Sequence, residues 1–118
     1  MIQSYEDLEV YQKSYQLSVE VYEQSKNMPK EETYGLISQM RRASLSIPLN
    51  IAEGYGKRES TAEFKRFLSM AKGSCDEMKV LVDFCRDVKI FEEEYHQVLK
   101  ARYDEIGKML HSLIQRWK

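Results

Sequence analysis

Arg41-Arg42-Ala43-Ser44-Leu45-Ser46-Ile47-Pro48-Leu49-Asn50-Ile51-Ala52-Glu53-Gly54-Tyr55-Gly56 is the stretch whose reading decides the fold. Up to Ala52 its apolar residues keep helical spacing, yet Pro48 sits inside the run. A proline there removes one backbone donor and crowds the carbonyl one turn earlier, so the helix is predicted to bend between Ser44 and Pro48 without ending. Asn50 and Glu53 are expected to find partners across the bundle or at an interface. Gly54 and Gly56 then offer the open or left-handed backbone that ends a helix, and Lys57 and Arg58 follow at once. The expectation is a kinked helix ending in a basic corner, with the other elements packed around it.

Working outward, this second helix reaches back to Pro29, which suits a first helical position, with Glu31 and Glu32 in the first turn. Leu36, Ile37, Met40, Ala43, Ser44, Ile47 and Ile51 share its main face, and Leu45, Leu49 and Ala52 lie roughly opposite. The first helix is predicted from Tyr5 or Asp7 to Ser25 or Lys26, with Ser4 as a cap. Leu8, Tyr11, Tyr15, Val19 and Tyr22 fall within one arc and are read as its core face, which puts Val10, Leu17 and Val21 outside. After the glycine corner, Ser60-Thr61-Ala62-Glu63 reads as a capping box opening a third helix that runs to about Arg86. Phe64, Phe67, Leu68, Ala71, Ser74, Cys75, Met78, Leu81, Val82 and Cys85 form its core stripe. Gly73, Val80 and Phe84 lie on the other side, with Gly73 a point of close approach for a neighbour. Glu92-Glu93-Glu94 opens a fourth helix whose broad apolar face carries Tyr95, Val98, Leu99, Tyr103, Ile106, Met109, Leu110, Leu113, Ile114 and Trp117. Four amphipathic helices with short connections and no strand-like alternation predict an all-α, up-down-up-down four-helix bundle over a single domain, residues 1–118.

Composition agrees with one ordered domain: 118 residues, 31% charged, with five glycines and two prolines. The longest uncharged stretch, Ala43 to Ala52, is too short and too polar to span a bilayer, and the acidic start lacks a signal-peptide core. A cytoplasmic protein with no membrane partner is expected. Cys75 and Cys85 lie ten residues apart on one predicted helix, about 15 Å at the helical rise, so they cannot bridge each other and are read as buried thiols. The net charge is −1, which argues against a general polyanion-coating surface. It is unevenly spread: residues 1–38 hold three Lys/Arg against seven Asp/Glu, whereas residues 39–72 hold seven against three.

The sharpest catalytic candidate is Glu93-x-x-His96, the carboxylate–imidazole spacing of di-iron bundles. Those sites need two such motifs, and the chain has one. His96 and His111, the only histidines, cannot form an i, i+4 metal pair. Helical ribonucleases of the HEPN type need an arginine four to six residues before a histidine, a spacing that Lys89 and Arg102 do not provide. The expectation is therefore a non-enzyme with no catalytic residue, no metal and no cofactor, a cryptic ribonuclease or metalloenzyme being the last alternative. Arg41, Arg42, Tyr55, Lys57, Arg58, Lys65 and Arg66 are the candidates for contacts to RNA or DNA, since cations beside an aromatic ring offer phosphate pairing and stacking. The second apolar stripes, Val10, Leu17 and Val21, then Leu45, Leu49 and Ala52, then Gly73, Val80 and Phe84, are the candidate oligomer interface. A purely protein-binding assembly module is the competing expectation.

Tyr34-Gly35-Leu36, Gln39-Met40-Arg41-Arg42-Ala43 and Ser46-Ile47-Pro48-Leu49-Asn50-Ile51-Ala52-Glu53-Gly54-Tyr55-Gly56 resemble the four-helix-bundle family of ribosomal-RNA intervening-sequence proteins. Glu63-Phe64, Phe67-Leu68 and Ala71-Lys72-Gly73-Ser74 match as well. That family is similar to the accessory protein of diversity-generating retroelements, which forms a five-membered ring, binds nucleic acid and engages a reverse transcriptase. The resemblance implies a homopentamer, with RNA, DNA or a partner protein as ligand, and no established reaction.

Overall fold

The first ordered turn is built on Ser4. Its Oγ accepts from the Glu6 N–H at 3.1 Å, and the Asp7 carboxylate accepts from the N–H groups of Gln3 and Ser4 at 2.8 and 3.1 Å. This reciprocal cap closes a 3-10 turn, Tyr5–Asp7. In the computed structural model, which describes residues 1–118, four helices follow: α1 Glu9–Ser25, α2 Ser38–Gly56, α3 Thr61–Asp87 and α4 Glu93–Arg116. They form a four-helix bundle without strands, 44 × 23 × 22 Å along its principal axes. Each helix packs on the next in the chain, and α1 makes far less contact with α4. That last seam is held by polar pairs. Arg102 forks onto Glu20 at 2.7 and 3.0 Å, and Lys13 reaches Glu105 at 3.4 Å.

Pro29 does not begin α2. It precedes a 3-10 turn, Lys30–Glu32, and a wider π turn, Thr33–Ile37, before the α-helix is established. The α2 helix runs through Pro48 unbroken. Asn50 finds its partner one turn back, donating from Nδ2 to the Ser46 carbonyl at 2.8 Å, and not across the bundle as expected. Small residues let α2 and α3 approach closely, with the Ser46 and Ser74 hydroxyls 2.7 Å apart. Gly54 is a second point of close approach. A Cβ built there would lie 2.6 Å from Phe67 Cβ. Neither Gly54 nor Gly56 has a positive φ, and α2 continues through both. The glycine therefore serves close packing, where a left-handed helix end was expected.

At the start of α3, Ser60 Oγ accepts from the Glu63 N–H at 3.2 Å, but the Glu63 carboxylate turns to Arg66, so only half of the expected box forms. The end of α3 is a Schellman arrangement. Ile90 N–H donates to the Cys85 carbonyl at 2.8 Å and Lys89 N–H to that of Arg86 at 2.9 Å. Lys89 carries the left-handed backbone, with φ 67°. No glycine relieves it.

The largest departure from expectation is in α1, whose faces are exchanged. Val10, Leu17 and Val21 are 4%, 1% and 2% exposed and belong to the core, whereas Tyr15, Val19 and Tyr22 are about half exposed. The reason lies in three serines. Ser14, Ser18 and Ser25 complete the buried face of Val10, Leu17 and Val21 at helical spacing. Each hydroxyl donates to the carbonyl three residues back, at 3.1, 2.6 and 2.7 Å. A serine satisfied in this way tolerates burial. It also lets the neighbouring backbone come close, which a face of three tyrosines would prevent. Leu8 is buried as expected.

On α4, Leu99, Tyr103, Ile106 and Leu110 are buried. Val98, assigned to the same face, is about half exposed, and His96 takes the buried position. Cys75 and Cys85 are buried free thiols. Burial pushes them up to about 12 and about 11 respectively, so both remain protonated and inert at neutral pH.

Candidate functional site

The basic candidates do not form one patch. Arg41 and Arg42 lie in the first turns of α2, whereas Lys57 and Arg58 follow its end, about 24 Å away at 1.5 Å per residue. Arg41 stacks on Tyr22, its guanidinium carbon 4.1 Å from the ring centroid, and donates from Nε to Ser25 Oγ at 2.7 Å. Arg42 is paired with Glu77 of α3 at 2.6 Å. At the other end, Arg58 lies 4.1 Å over the Tyr55 ring and donates to the Tyr55 carbonyl at 3.0 Å. Arg66 is engaged by Glu63 and holds that carboxyl below the usual range through the hydrogen bonds it donates. Lys57 and Arg66 both approach the Phe67 ring. Tyr55 is only 6% exposed and meets the edge of Phe64, which in turn meets Trp117 at 4.6 Å. It is a core residue and cannot stack a base, because its ring is almost wholly buried and Arg58 lies over it. Lys57, Arg58 and Lys65 remain as cations with no carboxylate within salt-bridge distance.

The apolar candidates divide as well. Val10, Leu17 and Val21 are withdrawn from the interface set, since the bundle itself covers them. Leu45, Leu49, Val80 and Phe84 are exposed as expected, between 46% and 66%, and Ala52 is half-buried. Gly73 is exposed, and a Cβ there would meet nothing within 4 Å, so no neighbour within the chain uses it. The side chains displaced outward in α1 create a feature that helical periodicity had hidden. Tyr15, Ser18, Val19 and Tyr22 of α1, with Arg41, Arg42 and Leu45 of α2, line an open groove of about 450 Å³. The Arg42–Glu77 pair ties the groove's rim to α3 one turn from Val80.

His96, read as a surface residue, is buried at 5% exposure. Its Nε2 lies 2.7 Å from Asp83 Oδ1, and the Lys100 ammonium lies 3.0 Å from the same oxygen. These two donors, the imidazole first, hold the Asp83 carboxyl below the ordinary carboxylate range. Glu93 stands 3.7 Å from His96 Nδ1, so the Glu-x-x-His pair is adjacent in space. No group of three or more His, Cys, Asp or Glu side chains is arranged to hold a metal ion.

These features define a helical-bundle protein that leaves apolar side chains uncovered on each of its four helices. The chain belongs to the 23S rRNA-intervening sequence protein family, whose model matches residues 6–112. No curated protein matches the chain significantly. No helix is long and apolar enough to cross a membrane.

Proposed function

We propose that this chain is a non-enzymatic scaffold that assembles with itself head to tail. The observation that carries the reading is the pairing of a concave and a convex apolar surface on one molecule. The α1–α2 groove, walled by Tyr15, Val19, Tyr22 and Leu45, is rimmed by Arg41 and Arg42. The α3 ridge of Val80, Phe84 and Val88, each roughly half exposed or more, carries Glu77 and Asp87 within one turn. Patches of this kind are uncommon on monomers; Arg42 already pairs with Glu77 and Asp87 with Arg86 inside the chain, so apolar surface and not charge carries the match. A contact between two different surfaces closes into a ring when its rotation permits, and five members is the number the family resemblance implies. Light scattering tests the reading: the expected mass is a multiple of the 14.0 kDa chain. Leu45→Glu combined with Phe84→Glu should dissociate the assembly, since both side chains face solvent in the single chain and would be buried unpaired at the contact. A wild-type mass of one chain overturns it.

RNA is proposed as the ligand of the assembled scaffold, on the strength of the unpaired cations Lys57, Arg58 and Lys65 and of a family named for an intervening sequence of 23S rRNA. Lys57→Gln with Lys65→Gln should weaken RNA binding and lower its salt dependence by about one unit of slope per lost phosphate contact. Unchanged affinity and slope would favour a partner protein as the ligand.

A further inference from the structure

A second cluster of cations lies elsewhere, in a cleft between α3 and α4 with no apolar residue in its lining. Lys72, Asp76 and Lys79 of α3 face Asp104, Gly107, Lys108 and His111 of α4 across a space of about 300 Å³. Both acids contact one lysine, Lys79, which lies 2.8 Å from Asp104 and 3.5 Å from Asp76; with three lysines against two aspartates, the lining carries a net positive charge even with His111 neutral. Lys79 thereby holds the Asp104 carboxyl below its ordinary range. Lys72, Lys108 and His111 have no carboxylate within 4.0 Å, although Lys108, one turn after Asp104, also helps to lower that carboxyl. Instead, the Lys72 ammonium lies 3.3 Å from His111 Nδ1.

That contact is informative, because a lysine next to a histidine nitrogen is favourable only while the imidazole is neutral and accepts at Nδ1. Its proton then sits on Nε2, and the cleft presents N–H donors from both side chains. Protonation of His111 would set two cations against each other, which an anion between them would relieve. Gly107 adds a second observation. It lies inside α4, which runs through it unbroken, at a position where alanine would favour the helix by about 1 kcal/mol. Packing does not demand it, since a Cβ there would meet nothing within 4 Å. The bare backbone leaves the middle of the cleft open between the cations.

We propose that this cleft is a binding site for a phosphoryl dianion, held by Lys72, Lys108 and His111, with His111 protonated in the bound state. A tetrahedral group with several charged oxygens can meet three separate donors at once, which a single carboxylate does less well. The site stands apart from the α1–α2 groove and from Lys57, so it holds whether or not the chain assembles or binds RNA at that corner.

The test follows the His111 ring by NMR across pH 5.5 to 8.5, with pyrophosphate as the probe and sodium chloride at matched ionic strength as the control. Pyrophosphate remains at least dianionic over this range. The expected result is a raised His111 pKa in pyrophosphate. His96, the other histidine, serves as the internal reference. Lys72→Gln with Lys108→Gln, both surface changes, should abolish the response. An unmoved His111 titration, or an equal response in the double variant, overturns the site. Competition by RNA oligonucleotides of one sequence, with a 5′-phosphate or a 5′-hydroxyl, separates the sources. Stronger competition by the phosphorylated form assigns the site to RNA ends; no difference, with pyrophosphate still bound, assigns it to a small phosphorylated molecule.

Discussion

Arg41 over Tyr22 and Arg58 over Tyr55 are the same interaction twice, each guanidinium carbon 4.1 Å from its ring centroid. What lies behind the ring differs. Tyr55 has Phe64 at its edge and is 6% exposed, so Arg58 seals the end of a core. Tyr22 is 47% exposed and walls an open groove, so Arg41 stiffens a surface. An arginine stacked on a tyrosine is therefore not a mark of a binding site in itself. The free face of the ring decides whether the pair stabilises the chain or presents it to something else.

The comparison can be broken most sharply at the rings. Tyr55→Ala should lower the unfolding free energy by about 3 to 5 kcal/mol, as removal of a buried aromatic does, whereas Tyr22→Ala should cost less than about 1 kcal/mol. Tyr22→Ala should weaken self-association more than it weakens folding. Urea unfolding of both variants reads the first effect, and sedimentation reads the second; equal destabilisation would erase the distinction. A somewhat smaller contrast concerns the two faces of α1. Leu17→Ala should cost about 3 kcal/mol and Val19→Ala no more than about 0.5 kcal/mol. The reverse order would restore the tyrosine face to the core. Smallest is Lys89→Gly, at a position belonging to neither region. It should stabilise by about 1 kcal/mol by relieving the left-handed φ, and it should leave self-association unchanged. A thermal midpoint that does not rise would mean the Schellman turn stores no strain.

The bundle and three of its four core faces were legible because Leu, Ile, Met and Phe recur at helical spacing in α2, α3 and α4. In α1 that signal misled. The core face there carries three apolar residues among three serines, while the tyrosines and Val19 outside are the more conspicuous series. A serine that bonds its own helix is polar in composition and apolar in effect, and periodicity alone does not register this. Gly54 stands out in the sequence, but its reason does not, because the need for close approach to Phe67 comes from a helix that follows it. The basic corner was legible as charge but not as availability. Tyr55 is buried, Arg66 is engaged by Glu63 and Arg42 by Glu77, all through contacts that a count of cations does not contain. His96 reads as solvated because it follows three glutamates, and only the fold brings Asp83 to it.

The serine face of α1 also governs how the molecule comes apart. With Val10, Leu17 and Val21 as its buried apolar residues and two ion pairs tying it to α4, α1 removes less apolar surface from water than α3, which buries nine residues without a serine among them. Local opening should therefore begin at α1, and its amides should exchange with solvent before those of the α2–α3 pair. Because Tyr15, Val19 and Tyr22 ride on that same helix, whatever fills the groove closes the first route of unfolding. A neighbour seated there would slow exchange along α1 and protect the fold at its weakest seam.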